Sequence, residues 1–465
     1  MNDITAFFAF LKYCLGYKEN MSRVIAGMNW HELYSFASKQ ALLGLCFEGI
    51  ERLGEEYPEE LKRNPIGREL LMTWMGKAQQ IRRQNIKVNA VADKLFSMLR
   101  EDGLRCCVLK GQGNALMYPN PYSRTPGDID VWIDASRERI MEYAQKKFEL
   151  EDDIRLQHLE TSLDGVPVEL HFFPCSMNNP IYHARLQKWF RRNADLQCSH
   201  IVGLPDGAGD IAIPTTAFNV VYQLTHLYHH FFDEGIGMRQ IIDYFLVVND
   251  FSKNVFLNND LSNHPVNFSN HPVNFSNHPV PLSKEGSTFS PSPSSSGSGD
   301  VTAPSRCSEP LRSKDGGPSK VSPNCAGWDR LAIEGDNSAG STTAVTSSAS
   351  TALVVVQREL KYLGLWKFAG AVMYVLHEAL GLSDEKMIAP MDKKRGKLLL
   401  AEILNGGNFG KHFTKYGHFT QQGMAKKYFL KIWRNMHFVR YYPAEALSEP
   451  IFRTWHFFWR LKHRR

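Results

Sequence analysis

Two aspartates separated by one residue, Asp128 and Asp130, are the clearest candidates for chemistry in this 465-residue sequence. In extended backbone, alternate side chains point to the same side, so both carboxylates would project from one face of a strand, while Ile129, Val131 and Ile133 would face the other way. Neighbouring carboxylates repel each other and lose hydration, and a divalent cation relieves both costs. The pattern predicts a site for Mg²⁺, which binds few carboxylates and keeps positions for substrate phosphates; Mn²⁺ is the alternative ion.

A third acidic residue, Glu169, lies in an alternating apolar segment from Val166 to Phe172 and shares a face with His171. We expect Glu169 to lie on a neighbouring strand and to act as a third metal ligand or as the base for an attacking hydroxyl. The alternative for Glu169 is an exposed strand carboxylate. His171 is expected to be a core histidine bonded to the backbone.

The segment before the aspartates predicts a phosphate-binding turn. A short apolar run, residues 106–109, ends at Lys110 and Gly111, which is the pattern of a buried strand passing into a helix N-terminus. Free N–H groups at such a terminus can bind phosphate. Lys110, Gly111, Gln112 and Arg124 are therefore candidate phosphate-binding residues, although Lys110 also fits a solvated strand end.

Taken in order, these residues resemble the polymerase-beta-type nucleotidyltransferase superfamily and, more narrowly, a family of largely uncharacterised bacterial nucleotidyltransferases. The matching segments are Leu109-Lys110-Gly111, Tyr118-Pro119, Arg124, Asp128-Ile129-Asp130 and Glu169-Leu170-His171. The resemblance implies magnesium-dependent transfer of a nucleoside monophosphate from an NTP to a hydroxyl, with release of pyrophosphate. The implied partners are the NTP and a hydroxyl acceptor that is a small molecule, a sugar or a protein.

Four later residues, His226, His230, Arg239 and Asp243, match the paired-histidine and Arg…Asp helices of that family. The resemblance implies that they face the substrate beside the core. Two alternatives remain open. The histidines are four residues apart, as a helical metal site requires. Arg239 and Asp243 have the same spacing and could form an ion pair that contributes a few tenths of a kcal/mol.

The predicted fold class is α+β, with a small mixed-sheet nucleotidyltransferase core flanked by N- and C-terminal helical regions. A disordered insert is predicted where an Asn-His-Pro-Val-Asn-Phe-Ser repeat precedes Ser-rich tracts, because such sequence buries too little apolar area to fold. The expected boundaries are 1–100 for the N-terminal helices, 101–205 for the core, 206–251 for the first part of the following helical region, 252–351 for the insert and 352–465 for the second helical part.

Net charge, cysteine spacing and apolar stretches indicate which partners and which cellular environment fit the protein. The net charge of +6 is mild and does not argue for nucleic acid, which is not excluded as a partner. Eight cysteines without paired spacing fit free thiols in a reducing cytoplasm. No stretch approaches the ~20 apolar residues of a membrane span. The aromatic C-terminal segment, with Trp455, Phe458 and Trp459, is expected to dock on the helical domain, with membrane-surface contact as the alternative.

Two rival functions use the same residues. One is a non-catalytic nucleotide-binding or interaction module that keeps the fold. The other is a phosphotransferase that moves a phosphorylated alcohol with the same carboxylates. The sequence identifies neither the base of the nucleotide nor the acceptor.

Overall fold

The computed structural model describes residues 3–150, 155–260, 346–411 and 424–463. Helices precede the sheet, as predicted, and the last of them is 34 residues long. Its buried side chains recur at helical spacing, for example Leu70, Trp74, Ile81, Val88 and Leu95, so one stripe faces the core along its length. The bounds are α1 Asp3–Cys14, α2 Ser22–Ala26, α3 Trp30–Lys39, α4 Leu43–Glu56, α5 Pro58–Arg63 and α6 Arg68–Glu101.

A four-stranded mixed sheet follows, which together with the flanking helices confirms the predicted α+β fold class. Its strands are β1 Cys106–Leu109, β2 Ile129–Ile133, β3 His158–Leu163 and β4 Val166–His171, in the spatial order β1-β2-β4-β3. β1 pairs antiparallel with β2, and β2 pairs parallel with β4. The β3–β4 hairpin turns at Asp164 and Gly165, both of which have positive φ, as tight two-residue turns require.

The two faces of β2 have different neighbours. Ile129, Val131 and Ile133 pack in one apolar cluster with α6, as the alternation predicts. Trp132 packs on the other side against the rings of Phe190 and Phe218. The connecting elements are α7 Gly111–Ala115, α8 Arg137–Lys147, α9 Pro180–Ser199 and the hairpin of β5 Ile201–Gly203 and β6 Asp210–Ala212.

The remaining helices form the largely apolar region beside the sheet. They are α10 Thr216–Asp233, α11 Met238–Asp260, α12 Thr346–Tyr362, α13 Trp366–Leu380, α14 Lys393–Gly406, α15 Met424–Met436 and α16 Pro443–His463. α11 and α12 reach into the range predicted as insert, so residues 252–260 and 346–351 of that range are helical. The rest of that range, residues 261–345, lies outside the described residues.

The C-terminal helix, α16, begins at Pro443 and contains Pro450 in its interior. Proline suits the first helical position, since its φ is preset and its missing N–H would be unpaired there. Docking of the aromatic residues is incomplete: Trp455 and Phe458 are at least half exposed, whereas Trp459 lies under the Arg137 guanidinium. None of the described helices has the length and apolar character needed to cross a membrane.

Candidate active site

Three predicted carboxylates meet at the centre of the sheet. Asp130 lies in β2 directly opposite Glu169 in β4, and Asp128 immediately precedes β2. Asp130 is buried, Glu169 is partly buried and Asp128 is exposed. The parallel pairing of β2 with β4 therefore brings together acidic residues that are about forty positions apart in the sequence.

Asp130 has two cationic partners. The Lys110 Nζ lies 3.0 Å from Asp130 Oδ1, and the His171 Nε2 lies 2.9 Å from the same oxygen. Burial alone would raise the pKa of Asp130, but the charge of Lys110 and the hydrogen bond from His171 outweigh it and hold the pKa well below its usual value. Asp130 is thus an ionised buried carboxylate.

His171 is buried, as expected, but its predicted bond to the backbone is wrong. Its Nε2 lies between two carboxylates, 2.9 Å from Asp130 and 3.1 Å from Glu169. Burial opposes protonation, yet the hydrogen bonds to these two acids raise the pKa of His171 to about 9. The imidazole is therefore a second cation within the acidic cluster.

Asp128 experiences the opposite environment. The charge of Asp130 is the largest cause that raises the pKa of Asp128 to about 6. Although the residue as a whole is exposed, partial desolvation of its carboxylate and the charge of Glu169 act in the same direction. The two aspartates of the pair therefore differ, because Asp130 contacts Lys110 and His171 directly, whereas at Asp128 the charge of Lys110 is outweighed. This repulsion at Asp128 is the kind that a bound cation relieves.

Eight of the predicted residues line one cleft of about 60 Å³. They are Lys110, Gly111, Arg124, Asp128, Asp130, His226, Arg239 and Asp243. Sequence analysis missed the six other lining residues, of which three offer distinctive side chains: the amide pair Asn114 and Gln223, and the aromatic Phe409. The other three are Gly127, Leu227 and Gln240. No local motif marks Asn114, Gln223 and Phe409, since they come from separate helices and a turn that only packing brings together.

The cationic side of the cleft is built on a buried ion pair. Arg124 donates from Nε and Nη2 to the two oxygens of Asp243, at 2.9 and 2.8 Å, and the Tyr118 hydroxyl donates to Asp243 at 2.7 Å. Asp243 thus pairs with Arg124 and not with Arg239, the alternative suggested by the spacing. Arg239 instead donates to the backbone oxygen of Thr125 at 2.9 Å.

Two guanidinium nitrogens at the cleft lack hydrogen-bond partners among the described residues. They are Nη1 of Arg124 and Nε of Arg239, and both atoms are buried. An unpaired buried N–H costs free energy comparable to a lost hydrogen bond. An anion that enters the cleft can supply the missing acceptors, which is how arginine binds phosphate groups.

Three predicted residues lie outside the cleft lining. Gln112 is buried and donates to the side chain of Asn89, and the helix predicted to start there is the single turn α7. Glu169 lies beside the cleft, next to His171. His230 is behind His226, with the two Nε2 atoms 3.0 Å apart, and His226 in turn lies 2.8 Å from Lys110 Nζ.

Another residue that sequence analysis missed is His158 on β3. In the hairpin register it lies opposite His171, and its Nδ1 is 3.4 Å from Glu169 Oε2. The signal was present, because a two-residue turn at Asp164 and Gly165 fixes the strand register and hence this pairing.

Comparison with known proteins identifies one matching family. The model of a family described as uncharacterised nucleotidyltransferase matches residues 26–262, just over half of the chain and including the whole sheet. Searches among curated proteins and among solved structures gave no match. On the strength of the family match, the chain belongs to the uncharacterised nucleotidyltransferase family.

Proposed function

We propose that this protein transfers a nucleoside monophosphate from an NTP to a hydroxyl acceptor and releases pyrophosphate. Membership of the family supports nucleotidyl transfer in general. The observation that carries the specific proposal is that one cleft is lined both by acidic residues and by cationic residues. Asp128 and Asp130 are called its acidic side, and Lys110, Arg124 and Arg239 its cationic side; the two meet where Lys110 Nζ lies 3.0 Å from Asp130 Oδ1.

The acidic side fits a divalent cation. Asp128 and Asp130, with Glu169 on the adjacent strand, provide the hard oxygen donors that Mg²⁺ prefers, and the mutual repulsion of the aspartates favours cation binding. Mn²⁺ would suit the same donors. When bound, the ion would supply charge neutralisation at the reacting phosphate.

The cationic side would hold the phosphates. The unpaired Nη1 of Arg124 and Nε of Arg239 are donors for phosphate oxygens, and Lys110 adds a compact charge beside Asp130. A volume of about 60 Å³ accommodates roughly four waters, which is about the size of a phosphate group. The base and sugar of the nucleotide would therefore lie towards the mouth of the cleft, near Phe409.

Glu169 would orient or deprotonate the acceptor hydroxyl. Burial raises its pKa, but the hydrogen bond from His171 outweighs that effect and the pKa is lowered, so Glu169 stays ionised near neutral pH. His226 and His230 would line the part of the site that receives the acceptor. Burial, and to a smaller extent the charge of Lys110, holds the pKa of His226 well below its usual value. Asp243 would act on substrate through Arg124, whose guanidinium it orients.

The test is incubation of the full-length protein with each labelled NTP, Mg²⁺ and a cell extract, followed by identification of the labelled molecule. The Asp128→Asn, Asp130→Asn double variant should lose labelling and magnesium-dependent nucleotide binding. Asp164→Asn is the control for each single substitution, Asp128→Asn and Asp130→Asn, because it removes one negative charge from an exposed hairpin turn of the same sheet. Glu169→Gln should lower turnover more than nucleotide binding.

Two outcomes would replace the proposal. Nucleotide binding by the wild type without transfer to any acceptor would support the non-catalytic module. Transfer of the phosphorylated alcohol from a labelled nucleoside diphosphate-alcohol to an acceptor hydroxyl, with release of NMP and without transfer from any NTP, would support the phosphotransferase. Undiminished transfer in the double variant would remove the aspartates from the mechanism altogether.

A further inference from the structure

We propose that His158, Glu169 and His171 form a binding site for a transition-metal ion such as Zn²⁺. This site shares Glu169 with the proposed magnesium site but uses neither Asp128 nor Asp130. The three side chains come from β3 and β4, where His158 and His171 are register partners. The proposal concerns metal binding by the protein alone and does not depend on the nucleotide chemistry.

The donor atoms already have the spacing of a coordination shell. Glu169 Oε2 lies 3.1 Å from His171 Nε2 and 3.4 Å from His158 Nδ1, and the three ligand atoms all lie within 4.8 Å of one another. Tetrahedral zinc with bonds of about 2.0–2.1 Å needs ligand atoms about 3.3 Å apart.

His158 provides the second, independent observation. The residue is 9% exposed, and neither ring nitrogen has a hydrogen-bond partner in the part of the chain that the structure describes. A metal ion at Nδ1 would give a partner to a buried nitrogen that otherwise has none.

His171 has the outer contact typical of metal-binding histidines. The side-chain amide of Gln157 lies 3.3 Å from His171 Nδ1 and also contacts the backbone oxygen of Pro174. Such a contact on the second ring nitrogen fixes the orientation of the ring. When Nε2 binds the metal in place of its proton, Nδ1 carries the proton. Gln157 must then turn its amide so that the oxygen accepts from Nδ1–H, and it gives up the hydrogen bond that its nitrogen donates to Pro174.

The chemical nature of the three ligand side chains determines which metal ion the site prefers. Two imidazoles and a carboxylate suit Zn²⁺ and its neighbours in the first transition row, whereas Mg²⁺ prefers oxygen ligands alone. The two sites should therefore respond to different ions, although Glu169 and Asp130 lie close to both.

The test uses the full-length protein after treatment with a chelator. Titration with Co²⁺ should give the visible absorption of a four-coordinate ion, and one equivalent of Zn²⁺ should displace it. His158→Ala should weaken Zn²⁺ binding at least tenfold in calorimetry. His31→Ala is the matched control, because it removes an exposed imidazole and should leave the affinity unchanged. Metal binding by the repeat histidines His264, His271 and His278 would contribute equally to wild type and variants, so it does not affect their comparison.

Equal Zn²⁺ affinity in wild type and His158→Ala would overturn the proposal, as would a wild type that gives no four-coordinate Co²⁺ spectrum. If His158→Ala does not fold, His158→Gln replaces it, and the wild-type Co²⁺ spectrum decides independently of any variant. These measurements contain no nucleotide. Failure here therefore leaves the magnesium-dependent transfer proposal intact, and loss of transfer in the aspartate variants leaves the zinc titration unaffected.

Discussion

Replacing Asp243 with Asn should destabilise the whole fold as well as the cleft. The side chains of Arg124 and Asp243 are 4% and 7% exposed, and the pair is bidentate. Burial raises the pKa of Asp243, but Arg124 outweighs it and keeps the carboxylate ionised. Asn preserves the shape and one oxygen but removes the charge, so the guanidinium of Arg124 stays buried without a counter-ion.

The expected loss of stability in Asp243→Asn follows from the burial of this ion pair. Breaking a buried ion pair by removing one partner costs about 3–5 kcal/mol, far above the ~0.3–0.5 kcal/mol of an exposed helical pair. One kcal/mol shifts Tm by about 2 °C in a domain of 250 residues, and by less in a longer chain. The predicted loss is therefore about 5 °C in a thermal melt, with a matching loss in urea unfolding.

The controls separate charge burial from general damage. Asp384→Asn removes a carboxylate whose side chain is 80% exposed, and it should change stability by less than about 0.5 kcal/mol. The double variant Arg124→Met, Asp243→Leu should recover much of the loss, because no unpaired charge remains. A single variant that melts together with the control, or a double variant no more stable than the single one, would refute this account of the pair.

Two further predictions concern stability away from the cleft. Glu445 is buried, and burial, partly offset by backbone N–H donors, raises its pKa to about 7. Because the folded state holds this proton more tightly than the unfolded state, the protonated form stabilises the fold fully below pH 4.5. That contribution of about 3 kcal/mol is lost as the pH rises through 7. In unfolding experiments across pH 4.5–8, the free energy of unfolding of Glu445→Gln should exceed that of wild type by more as the pH rises. Parallel pH curves for the two proteins would contradict this. Gly44→Ala should cost about 1–3 kcal/mol, because the new methyl would lie 2.3 Å from the backbone oxygen of Ser123. Gly54→Ala in the same helix meets nothing within 4 Å and should be neutral or stabilising by up to ~1 kcal/mol; equal melts for the two variants would rule out the close contact.

Local pattern was sufficient to predict the elements that carry the acidic residues. Alternation placed Asp130 and Glu169 on strands, and the Asp164-Gly165 turn predicted the hairpin. These features depend on neighbours in sequence, where periodicity and turn chemistry apply directly. The same register also implied the position of His158, although its place beside His171 was not recognised.

Contacts between distant elements could not be predicted in the same way. Arg124 and Asp243 are 119 positions apart, and their pairing depends on how α11 packs beside the turn that precedes β2. Lys110 adopts positive φ at the end of β1, a conformation that is rare for a residue with a side chain and that no sequence pattern signals. Gln112 was predicted to bind phosphate, but packing directs it to Asn89.

The buried cysteines of β1 allow the local unfolding of this strand to be measured chemically. Cys106 and Cys107 are 1% and 0% exposed, and burial raises the pKa of both thiols well above the usual range. Thiolates are the reactive form, so native molecules should resist alkylation at both positions. Modification would then require β1 to separate from the sheet, and its rate would measure how often that happens. Because Lys110 directly follows β1, the same rate would report how firmly the protein holds this side of its cleft.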